Sequence, residues 1–218
     1  MRDIVVVACT RGEILGTDVY RSVTRLGIED RCFFENNRVG LATCYNRFLA
    51  EHAGRDCLAV FVHDDVSIED VFLRDKLVAG AERFAIQGLA GSASFDLQLE
   101  SQQTMWIRAP REDLSGAVEH VMSDGRTCWR AYGPVPQPCV VLDGLFLAVD
   151  LARVGSLRFD EQFDFHFYDL DFCISAHLRS LDLGTVNVHV RHRSSGSFAS
   201  TEFRETQDRF RDKWRGRI

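Results

Sequence analysis

The chain has 218 residues, 45% hydrophobic and 27% charged, proportions that support a packed core and exclude wholesale disorder or collagen-like structure. Its 26 Lys and Arg against 32 Asp and Glu leave a net charge of −6, which argues against a general nucleic-acid-binding surface. No apolar run approaches the roughly 18–20 residues of a membrane span, so no transmembrane segment is expected.

Met1-Arg2-Asp3 leads directly into an apolar run with no basic leader, so the start reads as a mature cytoplasmic N-terminus. That run, Ile4 to Cys9, is β-branched and apolar on both faces, as in a buried parallel strand. Cys32-Phe33-Phe34 is a second candidate strand. Leu41, Cys44, Tyr45, Phe48 and Leu49 recur at helical spacing over Gly40 to His52, with Gly54 as a stop. Cys57 to Val62 is another continuous strand, ending abruptly at His63-Asp64-Asp65. Helical spacing runs from Ile68 to Ala79, and Phe84 to Gly91 reads as a strand entering a Gly-rich turn. Ser92 to Pro138 holds all four prolines and predicts loops with edge strands at most. Val140 to Val149 is a core segment, and Asp169 to Leu181 has helical spacing. Thr185 to Val190 alternates as a half-buried strand does. Phe203, Gln207, Phe210 and Trp214 line one face of a C-terminal helix over about 201–215. Its basic polar face permits a membrane-surface role, but interspersed acids favour docking on the domain. Strands alternating with helices predict an α/β fold with a mostly parallel central sheet, in a single domain over residues 1–218.

The seven cysteines are odd in number, irregularly spaced and free of any Cys-x-x-Cys pair. That pattern argues against a disulfide framework or zinc ribbon and suits a reducing cytoplasm.

Three features carry candidate chemistry. At His63-Asp64-Asp65 a buried strand delivers adjacent carboxylates to its C-terminal end, where α/β sheets bind ligands. Two acids there are costly to desolvate unless a cation or hydrogen-bond donors compensate, and carboxylate oxygens suit Mg²⁺ or Mn²⁺. The same residues could equally form a polar loop capping the next helix. Asp169 and Asp171 open a helix, where acids also complement the helix dipole. His189 and His192 end a strand that runs into Ser194-Ser195-Gly196-Ser197, a loop whose arginines could cradle phosphate or serve no ligand. Trp106, Trp129 and Phe95, in the irregular middle, could stack on a sugar or simply pack.

In this order the features resemble the GT-A (Rossmann-like) nucleotide-sugar glycosyltransferases of the family-2 type. Leu157-Arg158-Phe159-Asp160-Glu161-Gln162-Phe163 and Tyr168-Asp169-Leu170-Asp171-Phe172 are similar to that family's middle segment. His63-Asp64-Asp65-Val66, Leu142-Asp143-Gly144-Leu145 and His166-Phe167-Tyr168-Asp169 look most like a small group named after a streptomycin-biosynthesis protein. His63 stands where the usual motif has Asp, and Tyr168 where it has Glu.

The resemblance implies a metal-dependent, inverting transfer of sugar from a nucleoside-diphosphate sugar to an acceptor hydroxyl. It implies Asp65 and His192 as ligands of Mn²⁺ or Mg²⁺, with imidazole favouring Mn²⁺. It implies Asp169 as the general base, and Asp171 beside it positioning the acceptor or the helix. Thr10, Asn37, Asn46, His63, Asp64, Asp143 and Gly144 would lie along the nucleotide sugar. The alternative is a non-catalytic nucleotide-sugar or glycan-binding module on the same scaffold. A metallohydrolase is a weaker third, because His-x-x-x-His and paired His-x-Asp clusters are missing.

Overall fold

The computed structural model describes residues 2–97, 105–193 and 200–218. β1 (Asp3–Cys9) is followed by α1 (Asp18–Arg25), β2 (Arg31–Phe34), α2 (Leu41–Glu51) and β3 (Cys57–Val62). β1 pairs in parallel with both β2 and β3, Val6 standing opposite Arg31 and Val60. All six residues of β3 are buried, which explains why its sequence shows no alternation. Thr17 caps α1 by accepting the Tyr20 N–H, with Asp18 in the first turn and Arg25 in the last. α2 buries Ala42, Cys44, Tyr45, Phe48 and Leu49 on one stripe.

Next come β4 (Val66–Ile68), α3 (Leu73–Ala81), β5 (Ile86–Gly88), β6 (Ala90–Ser92), β7 (Leu114–Val121), β8 (Thr127–Gly133), β9 (Pro138–Cys139) and β10 (Val141–Leu142). The chain closes with β11 (Phe146–Asp150), α4 (Leu151–Val154), α5 (Tyr168–His177), β12 (Leu183–Thr185), β13 (Val190–His192) and α6 (Thr201–Trp214). Seven strands form one sheet in the order β2-β1-β3-β11-β5-β12-β9. A second sheet runs β10-β6-β7-β13-β4, with β8 paired to β7. Buried side chains of both sheets join in one apolar cluster.

The central sheet is mixed rather than mostly parallel. β11 runs antiparallel to β3 and β5, and β9 antiparallel to β12. The reason lies at Asp143-Gly144. The chain arrives there beside the C-terminal end of β3, where His63 N–H donates to the Leu145 carbonyl, and can only run back along β3. This reversal brings the Asp143-Gly144 turn to the same sheet edge as His63-Asp64-Asp65.

Three runs, two read as single strands and one as a core segment, divide between the sheets. Residues 84–91 supply β5 and β6, residues 140–149 supply β10 and β11, and residues 185–190 separate β12 from β13. The sheets meet where glycine lets backbones touch: a Cβ on Gly91 would lie 2.2 Å from the Val141 carbonyl oxygen. The helix expected from Ile68 starts at Leu73, because Asp70 turns the chain by accepting the Phe72 N–H (3.0 Å) while Val66–Ile68 joins the second sheet. Within 92–138, residues 98–104 lie outside the described ones. The remainder holds the β7–β8 hairpin, turned at Asp124-Gly125 with Gly125 at φ +82°. That Asp-Gly was the available signal.

α6 is docked, not free. Phe203, Thr206, Gln207, Phe210 and Trp214 are buried, with Phe167 5.1 Å from both Phe203 and Phe210. Among the described residues no helix is long and apolar enough to cross a membrane.

Candidate functional site

A cavity of about 1170 Å³ opens along the sheet edge where β1 and β3 end and β11 begins. Thr10, Asn37, His63, Asp64, Asp65, Asp143, Asp169 and His192 all line it. A smaller groove of about 400 Å³ beside Ile4, Leu26 and Arg74 holds none of the candidate residues.

His63, Asp65 and His192 converge on one wall. One potential ligand atom from each lies within 4.8 Å of the others. The topology does this: β13 pairs with β4 so that His192 stands opposite Val66, one residue beyond Asp65. β13 also pairs with β7, setting His192 against His120, and the two rings lie 5.5 Å apart. His192 Nε2 is 3.4 Å from Asp65 Oδ1, yet that oxygen and both His192 nitrogens are buried without a hydrogen-bond partner. Buried polar atoms are normally satisfied, so the unpartnered Asp65 oxygen beside an unpartnered His192 nitrogen fits a cation-binding role. Burial raises the Asp65 carboxyl, but the His192 and His63 imidazoles outweigh it and hold Asp65 below the usual carboxylate range. Burial lowers His63, against the opposing pull of Asp65. Two imidazoles and one carboxylate make a donor set suited to a divalent transition ion.

Asp169 sits against the Asp143-Gly144 turn, in the first turn of α5. Only 8% of it is exposed, and its Oδ2 accepts the Gly144 N–H at 2.8 Å. Burial, reinforced by the Asp143 carboxylate, pushes its carboxyl up to about 7. A carboxyl in that range can take a proton at neutral pH. Phe167, just before α5, adopts a left-handed conformation (φ 65°), which costs a non-glycine residue about 1–2 kcal/mol. Such strain concentrates at functional sites.

The other candidates divide. Asp64 lines the cavity, and its carbonyl accepts the Asp18 and Val19 N–H groups, so the loop both caps α1 and faces the site. Thr10 and Asn37 line the cavity as well; the Asn37 side chain is held by Val39, donating to its carbonyl and accepting its N–H. Asp143 faces the cavity while accepting the Leu145 N–H.

Asn46 is outside the cavity lining. Its amide clamps α2 to the Phe159 backbone and Glu161. Gly144 is also outside the lining and serves as packing, because a Cβ there would lie 2.5 Å from Tyr168 Oη and 2.7 Å from Asp169 Cβ. Asp171 points away, accepting from Trp214 Nε1 (2.9 Å) and pairing with Lys213 on α6. Asp160 pairs with the same lysine. Asp160 and Asp171, two acids of the segment that carries the family resemblance, therefore brace α6.

The arginines of the strand end are also committed, Arg191 to Glu119 and Arg193 to Asp18. The Ser/Gly loop over 194–199 lies outside the described residues. Trp106 is buried in the cavity wall, edge-on to Tyr132, whereas Trp129 faces His189 on the outer side and Phe95 packs on Phe210.

Several residues escaped the sequence reading. His120, Arg130 and Tyr132 line the cavity from the β7–β8 hairpin, a segment read as irregular. Tyr168 reads as a departure from a motif, yet its buried hydroxyl lies between His63 and Gly144.

No family model matches the chain, and no curated protein matches it. Among solved structures it is similar to A197 from STIV, at 11% identity and a TM-score of 0.55, over 89% of this chain and 87% of that one. It is also similar to the inositol-1-phosphate CTP transferase from T. maritima, at 15% identity and a TM-score of 0.40, over 97% and 77%. The likeness to A197, over nearly the whole of both chains, is one of fold.

Proposed function

We propose that the protein is a cytoplasmic, metal-dependent, inverting glycosyltransferase that moves a sugar from a nucleoside-diphosphate sugar to an acceptor hydroxyl. The observation that carries this reading is the meeting of His63, Asp65 and His192, with the orphaned buried atoms of Asp65 and His192, in the same cavity as the raised carboxyl of Asp169. The motif order of the sequence and the seven free cysteines support it. Inversion rests on the family resemblance.

His63, Asp65 and His192 would hold Mn²⁺ or Mg²⁺. When bound, the cation neutralises charge growing on a leaving diphosphate. Asp169 accepts the proton of the acceptor hydroxyl as that oxygen attacks the anomeric carbon, whose transition state resembles an oxocarbenium ion. Burial, reinforced by Asp143, keeps the Asp169 carboxyl high enough to hold that proton afterwards. Thr10 and Asn37 line the same cavity and would contact the nucleoside.

A thermal-shift panel tests the proposal, with UDP, GDP, dTDP and CMP, each with and without Mn²⁺. A ligand at about 100 times its dissociation constant adds ~2.7 kcal/mol. At ~2–4 °C per kcal/mol for a chain of this size, the expected shift is roughly 5–11 °C. It should appear with one nucleotide, require Mn²⁺ and vanish in Asp65→Ala. No shift with any nucleotide would overturn the transferase reading.

A further inference from the structure

Tyr168 opens α5 with its ring packed among Tyr45 (6.0 Å), Phe159 (5.9 Å) and His63 (6.4 Å), and is 2% exposed. Its hydroxyl lies 2.9 Å from the Gly144 carbonyl oxygen and 2.9 Å from His63 Nε2. A phenol carries one proton, and a carbonyl can only accept. The Tyr168 proton therefore goes to Gly144, and the remaining lone pair must accept from His63. A neutral imidazole, the form that can ligate a cation, has one N–H to give, and here it stands on Nε2, because the hydroxyl can only accept. That leaves Nδ1 as the His63 nitrogen with a lone pair to offer.

We propose that Tyr168 is a positioning residue that locks His63 in its Nε2-protonated tautomer and so presents Nδ1, with Asp65 and His192, to the cation. The inference rests on the metal reading above, but its first half concerns the protein without metal. Gly144 anchors the relay. Its carbonyl takes the Tyr168 proton while its N–H holds Asp169, so one peptide turn orients both the metal-binding histidine and the candidate base. A hydroxyl pinned by a carbonyl can only accept from His63, whereas a carboxylate would also add charge beside Asp169. Partners of this kind, which fix the orientation and tautomer of a ligating histidine, typically change metal affinity 10- to 100-fold when removed.

The test pairs two readouts on the full chain. Long-range ¹H–¹⁵N NMR of the metal-free protein reads the His63 tautomer directly. Titration with Mn²⁺ alone, followed by electron paramagnetic resonance, reads affinity. Wild type should show the Nε2–H form. Tyr168→Phe, which keeps the ring and its packing, should show mixed tautomers and bind Mn²⁺ 10- to 100-fold more weakly. Tyr45→Phe is the control for packing: Tyr45 is fully buried in the same ring cluster, its hydroxyl has no hydrogen-bond partner, and its loss should change neither readout. An Nδ1–H form in wild type would overturn the proposal. So would Tyr168→Phe binding Mn²⁺ as tightly as wild type or more tightly, since the hydroxyl would then be competing with the ion for Nε2. If wild type shows the Nε2–H form but binds no Mn²⁺, the metal reading fails and the tautomer lock stands.

Discussion

Asp171 separates bracing from chemistry, because the sequence pairs it with Asp169 whereas the fold turns it towards α6. Its side chain is 1% exposed and serves Trp214 Nε1 and Lys213 Nζ. Replacing it with alanine strands a buried indole N–H and removes one of two carboxylates from a lysine that is 19% exposed. Breaking a buried ion pair costs about 3–5 kcal/mol. Lys213 keeps Asp160 at 2.7 Å, so the low end applies, about 3 kcal/mol. For a chain of this length that is a drop of roughly 6–12 °C in Tm. Calorimetry of Asp171→Ala should show that drop, and hydrogen exchange should show early loss of protection across Thr201–Trp214. Asp171→Asn, which still accepts from the indole, should lose less stability and keep most transfer activity. An Asp171→Asn protein with wild-type Tm but no activity would refute the reasoning and return Asp171 to the chemistry.

Three further outcomes follow from the geometry. Transfer activity should rise with pH through an apparent pKa near 7, because Asp169 acts deprotonated and its carboxyl is pushed up to about 7; in Asp169→Asn the residual rate should lose that limb. Gly144→Ala should cost about 1–3 kcal/mol by overpacking, measured by denaturant titration, because its Cβ would meet Tyr168 Oη at 2.5 Å; an unchanged midpoint would show that the turn yields. Burial raises the Glu119 carboxyl, but hydrogen bonds from His189, Thr127 and Arg191 outweigh it and hold it at about 2. A carboxyl depressed by folding stabilises fully above its unfolded pKa, so this contribution should fade as pH falls from about 4.5 towards 2, and Glu119→Gln should flatten that part of the stability–pH curve.

Much of the fold could be read from the chain because burial writes itself into composition. β1 and β3 are apolar on both faces because both faces are covered, and α2 carries its stripe because one face is. What escaped were events of direction and partition. Nothing in Val140 to Val149 says that its first half joins one sheet and its second half another, since both halves are buried alike. The reversal at Asp143-Gly144, which makes the central sheet mixed, is set by what lies beside β3, not by local propensity. Within the site, Asp65 and His192 were legible as strand-end ligands while His63 read as a nucleotide-sugar contact, and the register between β4 and β13 brings all three together. Asn46, Gly144 and Asp171 are polar or small for structural reasons that mimic a site: a clamp, a close approach and an ion pair. His120 was hidden because its hairpin lies among the prolines. Tyr168 was hidden because its hydroxyl is oriented by a carbonyl 24 residues away.

The claim on which the rest depends is that His63, Asp65 and His192 form one metal site in the cavity that holds Asp169. Equilibrium titration with Mn²⁺, read by electron paramagnetic resonance, tests it on wild type, Asp65→Asn and Asp171→Asn. The account predicts one bound ion per chain in wild type, its loss in Asp65→Asn and its retention in Asp171→Asn. Equal binding by wild type and Asp65→Asn, or none by wild type, would contradict it.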